Sequence, residues 1–380
     1  MVIKKLIAIS VVFALVAGAA FAVDLGGDVI AGVSVVSKEG AQDATLFTGA
    51  LGRIRLEGSG EAEIGIGTIG GWARFEKGGR TVNIDANPWE DPNTPFAKVF
   101  GLAWWQPIEQ LRIQIGGNPD GHYDTSHIGR YGFYAQANEL GMVNSDGNWN
   151  GTCFDDGVFG GDFGFEHFAF IITPMDGVTI NVALPLNADP GLTGDTQIAA
   201  TFKSALFQVN YNADFGAIHV TYAGAGSSLT DTGKFWASAF LGSLVDGLGL
   251  ELGVGFAAVK SPAPKKPLSI ALGARYDVSE QFGVKLRSIF DIPMESGGKV
   301  AVRVDLLPFY AVNENVTAYF DMGMYLDGTA SQFAWHFAPY VRVGAEWGSS
   351  FYAGLKFNNG TGISGSKVNI SIPVGIIASF

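Results

Sequence analysis

The residues that could carry chemistry in this sequence do not form a catalytic set. It has no Gly-x-Ser-x-Gly elbow, no His-Glu-x-x-His motif and no phosphate-binding loop. The five histidines are scattered. Two of them, His122 and His127, share a predicted loop, where we interpret them as solvated polar residues rather than metal ligands. Because catalysis needs groups that converge on one point, we expect that the protein is not an enzyme.

Charged residues instead recur at alternate positions of segments whose other positions are apolar. In a β-strand, such charges share one face. If the strands enclose a wide bore, these side chains line it and act on passing solutes; in a packed interior they would only neutralise one another. The predicted charge filter of such a pore consists of Arg53, Arg55, Arg112, Arg275, Lys285, Arg287, Arg303, Asp305, Arg342 and Lys356.

A long acidic segment, 117–162, provides a second set of candidate residues. It has 46 residues and carries seven acidic side chains against a single arginine, together with several aromatic residues. Connections of this length are usually functional or disordered. If it folds into a basic bore, it narrows the bore and sets a transverse field; the alternative is a surface-exposed lid. The predicted constriction residues are Asp120, Asp124, Glu139, Asp155 and Asp156.

Half of a calcium-binding signature lies within this segment. Asp146, Asn148 and Asn150, followed by Gly151, match the first half of the pattern D-x-[DN]-x-[DN]-G. The acidic residue that should close the loop is missing, because Gly157 stands at that position. An ordinary polar turn explains the same residues. We therefore expect no cofactor, with calcium at this site as the alternative.

The segments that must position these residues alternate strictly between apolar and polar side chains. Val300, Val302 and Val304, for example, oppose Lys299 and Arg303. The segments are about ten residues long, which suits a tilted strand that crosses a bilayer. A strand face free of charge is also what contact with lipid requires, because a charged side chain facing the middle of the bilayer lowers the free energy of unfolding by about 2–4 kcal/mol. A soluble β-sandwich alternates as well, so periodicity alone does not decide between the two classes.

The connections between the segments favour a barrel. Short turns, the first near 58–60 and the others near 106–110, 174–177, 213–216, 245–247, 278–280, 313–315 and 347–349, alternate with longer polar loops. The segment Thr196–Ala213 is too long for one crossing and changes phase, as a bulge or an extra turn would do. We predict an all-β fold, a transmembrane antiparallel up-and-down β-barrel of about 18 strands, with 16 as the alternative count.

The first residues predict export. Residues 1–22 combine a basic start, an apolar run and a small-residue cleavage site, as a signal peptide does, and 23–380 then form a single domain. The net charge of −12 argues against nucleic acid as a partner. The single Cys153 excludes an internal disulfide. These features indicate an exported protein, consistent with a bacterial outer membrane and its lipid.

The last segment, Lys367–Phe380, also alternates, with apolar residues at its even positions up to 376. It ends on an aromatic residue, Phe380, without a polar tail. We predict that this strand pairs with the first strand, which would remove both open edges of the sheet.

Several of these features resemble known families. The leader, the segment VDLGGDVIAGVSV and the terminal Phe380 resemble the outer-membrane β-barrel proteins of treponeme-type spirochetes. The terminus is also similar to the C-terminal signal read by the barrel assembly machinery, which implies that machinery as a partner. The long third outer loop resembles that of general trimeric porins, which implies a loop that folds into the lumen and narrows it, with a homotrimer as the candidate assembly.

The sequence thus supports two hypotheses of different classes. The first is a porin-like passive diffusion channel for small hydrophilic solutes or ions. The second is a surface adhesin or structural barrel with a closed lumen. Conductance in a planar bilayer separates the two.

Overall fold

The architecture is a single antiparallel sheet in which neighbours in sequence are neighbours in space. The computed structural model describes residues 22–37, 45–78, 98–117, 167–186, 195–224, 233–257, 267–327, 332–345, 349–358 and 368–379. The strands are β1 Ala22–Ser37, β2 Thr45–Ile64, β3 Gly67–Gly78, β4 Lys98–Ile108, β5 Leu111–Gly117, β6 His167–Met175, β7 Val178–Pro185, β8 Leu206–Ala213, β9 Gly216–Ala223, β10 Lys234–Val245, β11 Leu248–Ala257, β12 Pro267–Asp277, β13 Phe282–Pro293, β14 Ala301–Asn313, β15 Val316–Asp327, β16 Gln332–Gly344, β17 Ser350–Gly354, β18 Lys356–Asn358 and β19 Asn369–Ser379.

The first and last strands pair, so the ring of strand pairings returns to its start. The register between β1 and β19 runs from Asp28 opposite Ser379 to Ser37 opposite Ile370. Strands β17 and β18 both lie between β16 and β19 and keep one register with each of them. They are one strand position, interrupted at Leu355. The described sheet therefore has eighteen positions, which confirms the larger of the two predicted counts.

The distribution of side chains is the reverse of that in a water-soluble protein. Large apolar residues such as Leu252, Phe320 and Ile376 are exposed, whereas Glu251 and Asp321 beside them in sequence are buried. Soluble proteins rarely expose large contiguous apolar patches, and here such residues cover the outside of most strands. This exterior suits the hydrocarbon of a bilayer, and the predicted transmembrane β-barrel is confirmed.

The short turns lie at one end of the barrel, because alternate connections of an up-and-down sheet share an end. Seven of the eight predicted turns coincide with strand ends. The first prediction, at 58–60, was wrong: those residues lie inside β2, in register with β3, and the turn follows at Gly65 and Ile66. Glycine and serine at 58–60 mimic a turn, but the ladder of hydrogen bonds continues through them.

The segment Thr196–Ala213 contains a helix, not the predicted bulge or extra turn. Helix α1 spans Asp195–Lys203 and is followed by β8. Its acidic first residue and basic Lys203 in its last turn both suit the helix dipole. Ile198 and Phe202 lie four residues apart, which is the spacing of a helix. This spacing is hard to recognise in a longer window that also contains the alternating residues of β8. Among the described residues, no helix has the length and hydropathy needed to cross a membrane.

Several predictions fall outside the described residues. They are the signal peptide up to residue 21, the acidic segment 118–162 with its constriction and calcium residues, Cys153, and Phe380. The last strand itself has the predicted phase, with Ile370, Ile372, Val374 and Ile376 exposed on the outer face.

Candidate functional site

The candidate site is the inner wall of the barrel, formed by the side chains opposite the exposed apolar ones. Of the predicted charge-filter residues, Lys285, Arg303, Asp305, Arg342 and Lys356 are buried on this inner side. Arg112, Arg275 and Arg287 lie there too and are partly exposed. The side chains of Arg53 and Arg55 are outside the described set, although both residues belong to β2.

Strand register brings four ionisable residues, on β11, β13, β14 and β16, into one row around the barrel. Glu251 pairs with Gly273, which pairs with Arg287, and Arg287 pairs with Asp305. The row continues through Gly323 to His336. Residues that are far apart in sequence therefore meet as cross-strand neighbours, at the short distances that such pairs impose.

Glycines in this row make room for the charged side chains. A Cβ atom on Gly323 would overlap Asp305 Oδ1 and the ring of His336. A Cβ atom on Gly273 would lie 2.7 Å from Glu251 Oε2. The Asp305 and His336 side chains therefore both occupy the space above Gly323, which has no side chain of its own. Any other residue at Gly323 would separate them.

Acidic side chains on this part of the wall have basic or histidine partners. Arg303 Nε lies 2.7 Å from Asp305 Oδ2, on the same face of β14. His336 Nε2 lies 3.1 Å from Asp321 Oδ2, across the β15–β16 pair. Closer to the short-turn end, Arg275 Nε lies 3.0 Å from Asp277 Oδ1. Since buried charges are costly unless they are paired, such pairs are what allows the wall to hold them.

Aromatic rings continue the wall towards the short-turn end. The inner aromatic row, Phe309, Tyr319, Tyr340 and Tyr352, crosses β14 to β17 with successive ring centroids 4.7–6.4 Å apart. Tyr319 and Tyr340 stack at the shortest of these distances. The Arg342 guanidinium lies 5.5 Å from the Tyr319 ring centroid and donates a hydrogen bond to Thr317 Oγ1. A guanidinium over an aromatic face is a favourable cation–π arrangement.

The wall formed by β7 to β9 is neutral and hydrogen-bonded. Asn181 Nδ2 and Asn210 Nδ2 both donate to Gln208 Oε1, at 2.7 and 2.9 Å. Gln208 Nε2 donates to Thr221 Oγ1, and His219 Nδ1 lies 2.6 Å from Asn210 Oδ1. Side-chain amides donate hydrogen bonds to one another and to Thr221 here, so one side of the bore is polar without charge, whereas the β11–β18 side is strongly charged.

Sequence reasoning missed several inner-wall residues. Arg74 is buried, lies 2.7 Å from Glu57 Oε1 and stacks on Trp72, but it was absent from the predicted filter. Asp321 and His336 are also buried on the inner wall, and neither belongs to the predicted filter. Like Asp305, each stands at a polar position of an alternating segment, which was the signal that could have included them. Lys203 lies in α1 and not on a strand.

No metal site is evident in the described part of the wall. The residues there include no group of three His, Cys, Asp or Glu side chains that could hold a metal ion. The predicted calcium residues lie outside the described set.

Fold and wall together define the class of this protein: it is a porin-like transmembrane β-barrel. Solved porin structures share the fold. A double mutant of the Rh. blastica porin has 14% identity and a TM-score of 0.52, covering 94% of this chain and 100% of its own. A five-site mutant of that porin covers the same shares at 14% identity and a TM-score of 0.51. The anion-selective porin from Comamonas acidovorans has 14% identity and a TM-score of 0.50, covering 95% of this chain and 100% of its own.

At these identities the similarity is one of fold alone. No protein-family model matches the chain. No curated protein matches it either.

Proposed function

We propose that this protein is a porin of the bacterial outer membrane, a passive diffusion channel for small hydrophilic solutes or ions. The observation that carries the proposal is the reversed distribution of its side chains, apolar outside and charged or amide-bearing inside. A closed ring of eighteen strand positions supports it, since barrels of this size leave an aqueous bore. The porin fold of the solved neighbours supports it as well.

In this proposal, the inner wall sets the environment that a solute meets. Three positively charged side chains lie on this wall, those of Lys285, Arg287 and Arg303. Two carboxyl side chains, those of Asp305 and Asp321, lie in the same part of it. Solutes pass between this charged side and the amide side formed by β7 to β9. The segment 118–162, outside the described residues, is proposed to narrow the bore. No chemical step is needed, so the proposed activity is transport and not catalysis.

The test is conductance of the purified, refolded protein in a planar lipid bilayer. We expect discrete current steps whose size scales with the salt concentration, because a water-filled bore conducts as its bulk solution does. Refolded protein that inserts without producing steps would contradict the proposal. Insertion itself is checked by flotation with liposomes, so that a silent bilayer is not confused with failed insertion.

One observation favours the second candidate, a structural or adhesive barrel with a closed lumen. Asp321 and Asp305, on the inner wall, have exposures of only 0% and 1%. Side chains that line a wide channel would be more accessible to water. A protein that inserts, remains silent and binds host or matrix material through its outer loops would support this candidate.

A homotrimer is proposed as the assembly. The outer face of β2 to β4 carries small residues, Gly58, Gly60, Gly71, Ala73 and Ala103, where most other strands carry large apolar ones. Small residues let backbones approach closely in a membrane. Analytical ultracentrifugation in detergent tests this assembly, and a monomeric mass for protein extracted under mild conditions would contradict it.

A further inference from the structure

We infer that the short turns form an acidic ring at one mouth of the barrel, and that this ring gives the proposed channel a preference for cations. The inference rests on the proposed porin function and goes further, because it assigns a class of solute and the residues that select it. None of these residues belongs to the predicted charge filter or to the acidic segment 117–162.

Six consecutive short turns each carry an exposed carboxylate. The acidic ring consists of Glu109, Asp176, Asp214, Asp246, Glu280 and Glu314. The turns that contain them, 108–111, 175–178, 213–216, 245–248, 277–282 and 313–316, have no lysine or arginine. All six connect an even-numbered strand to the next one, so they lie at the same end of the barrel.

The spacing of the ring lets its charges act together. Successive short turns are two strand positions apart, which corresponds to about 10 Å along the rim at the usual spacing between strands. The Debye length is about 8 Å at physiological ionic strength and about 30 Å in 0.01 M salt. In dilute salt, the fields of neighbouring carboxylates therefore overlap across the mouth. At high salt each carboxylate acts almost alone.

Turn geometry does not account for these acidic residues. Asp176 and Asp246 precede Gly177 and Gly247, which have φ values of 75° and 73°, and Asp-Gly is a favoured hairpin sequence. Asn-Gly serves equally well there without a charge. Glu109, Glu280 and Glu314 have no comparable turn preference. A requirement for negative charge at this rim explains all six.

The part of the wall whose side chains are described does not cancel the charge of the ring. On the strands whose side chains are described, the inward charges number eight of each sign: Arg74, Arg112, Arg275, Lys285, Arg287, Arg303, Arg342 and Lys356 against Glu57, Glu61, Glu63, Glu251, Asp277, Asp291, Asp305 and Asp321. A balanced wall adds little net field, whereas a mouth of a single sign raises the local concentration of counter-ions. Cations should therefore accumulate at this mouth.

The test compares three proteins in planar bilayers under a gradient of KCl. The first is the wild type. The second is neutralised by Glu109→Gln, Asp176→Asn, Asp214→Asn, Asp246→Asn, Glu280→Gln and Glu314→Gln, which keep the size and the turn preference. The third, a matched control, exchanges Glu and Asp at the same six positions and keeps every charge. The reversal potential gives the ratio of potassium to chloride permeability.

We expect wild type and control to prefer potassium in dilute salt and to lose the preference as the salt approaches 1 M, where the Debye length falls to about 3 Å. We expect the permeability ratio of the neutralised protein to be closer to unity at every concentration. A neutralised protein that conducts with the wild-type ratio would overturn the ring inference alone, as would a wild type that prefers chloride in dilute salt. Absence of current steps from all three would overturn the porin function and the inference with it.

Discussion

The carboxylate of Asp321 lies 3.1 Å from Nε2 of His336, and both side chains are buried on the inner wall of the barrel. The two residues belong to the adjacent strands β15 and β16 but do not face each other in register, since Asp321 pairs with Ala338 and His336 with Gly323. Their contact is therefore diagonal, and it joins two neighbouring rows of the wall. Asp305, which meets His336 over Gly323, extends the contact to β14.

Removing His336 is expected to destabilise the barrel. The variant His336→Leu leaves the Asp321 carboxylate buried without this hydrogen-bond partner, and loss of a partner of a buried polar group costs about 1–3 kcal/mol. The double variant Asp321→Leu with His336→Leu should lose less than the sum of the two single changes, because neither polar group is then stranded. Urea unfolding of the refolded protein in detergent micelles gives the three free energies of unfolding. Additive single effects would show that the two residues are not coupled.

Filling the space at Gly323 is expected to disturb the same cluster. The variant Gly323→Ala places a Cβ atom where Asp305 Oδ1 and His336 now lie. Extra atoms in a packed site typically cost about 1–3 kcal/mol. We expect a fall of this size in the free energy of unfolding, measured by urea titration.

A matched control for this change is available at another strand glycine. Gly101 lies on β4, and the nearest atom to an added Cβ is the Trp72 carbonyl oxygen at 3.9 Å. The variant Gly101→Ala should therefore change stability by less than about 0.5 kcal/mol. Equal effects at Gly101 and Gly323 would mean that loss of glycine as such, and not the overlap, causes the destabilisation.

The architecture could be predicted from sequence because it depends on a strong local signal. Alternation of apolar and charged residues fixes which face of each strand meets lipid, as in Val300–Leu306, and it needs no knowledge of the partner strand. Turn positions were predictable where glycine or asparagine ends the alternation. The predicted turn at 58–60 was wrong, because hydrogen bonding between β2 and β3 continues through these residues, although their types favour turns.

The grouping of the wall residues could not be predicted in the same way. That Glu251, Arg287, Asp305 and His336 share one row depends on the register of five successive strand pairs, and a shift in any of them changes the row. The role of Gly323 depends on the same register. Helix α1 was not predicted from the sequence. A nine-residue helix next to a strand appears there only as a change of phase in the alternation between apolar and polar residues.

An accessible lumen makes a specific prediction for thiol labelling. Ser59, paired with Trp72, lies on the inner face of β2, and Ala237, paired with Val254, lies on the outer face of β10. In a background carrying Cys153→Ser, we expect Ser59→Cys to react with a charged, membrane-impermeant thiol reagent in liposomes and Ala237→Cys to be protected by lipid. Mass spectrometry measures the extent of labelling, and labelling after denaturation shows that both thiols are intact. Protection at both positions would favour the closed-lumen candidate.

A charge on the outer face is expected to oppose insertion. Leu252 lies near the middle of β11 and is 45% exposed on the outer surface. The variant Leu252→Lys places an ammonium group in the hydrocarbon, which costs about 2–4 kcal/mol at the midplane. We expect a matching fall in the free energy of folding into liposomes, while Leu252→Met, which keeps the volume and the apolar character, should change it little. If the two variants fold equally well, the outer face of β11 does not meet lipid.

A change at the end of the last strand allows assembly in the cell and transport to be tested separately. The described β1–β19 register runs from Asp28 opposite Ser379 to Ser37 opposite Ile370 and already joins the first strand to the last. If Phe380 is a signal for the assembly machinery, deleting it should lower the amount of protein in the outer membrane of the cell. The purified variant should still refold in detergent and give the wild-type conductance, because the ten described residue pairs between β1 and β19 are retained. Quantitative immunoblots of membrane fractions and single-channel recordings measure the two effects separately. Normal amounts in the membrane would show that Phe380 is not a signal, and loss of refolding in vitro would show that it serves the fold itself.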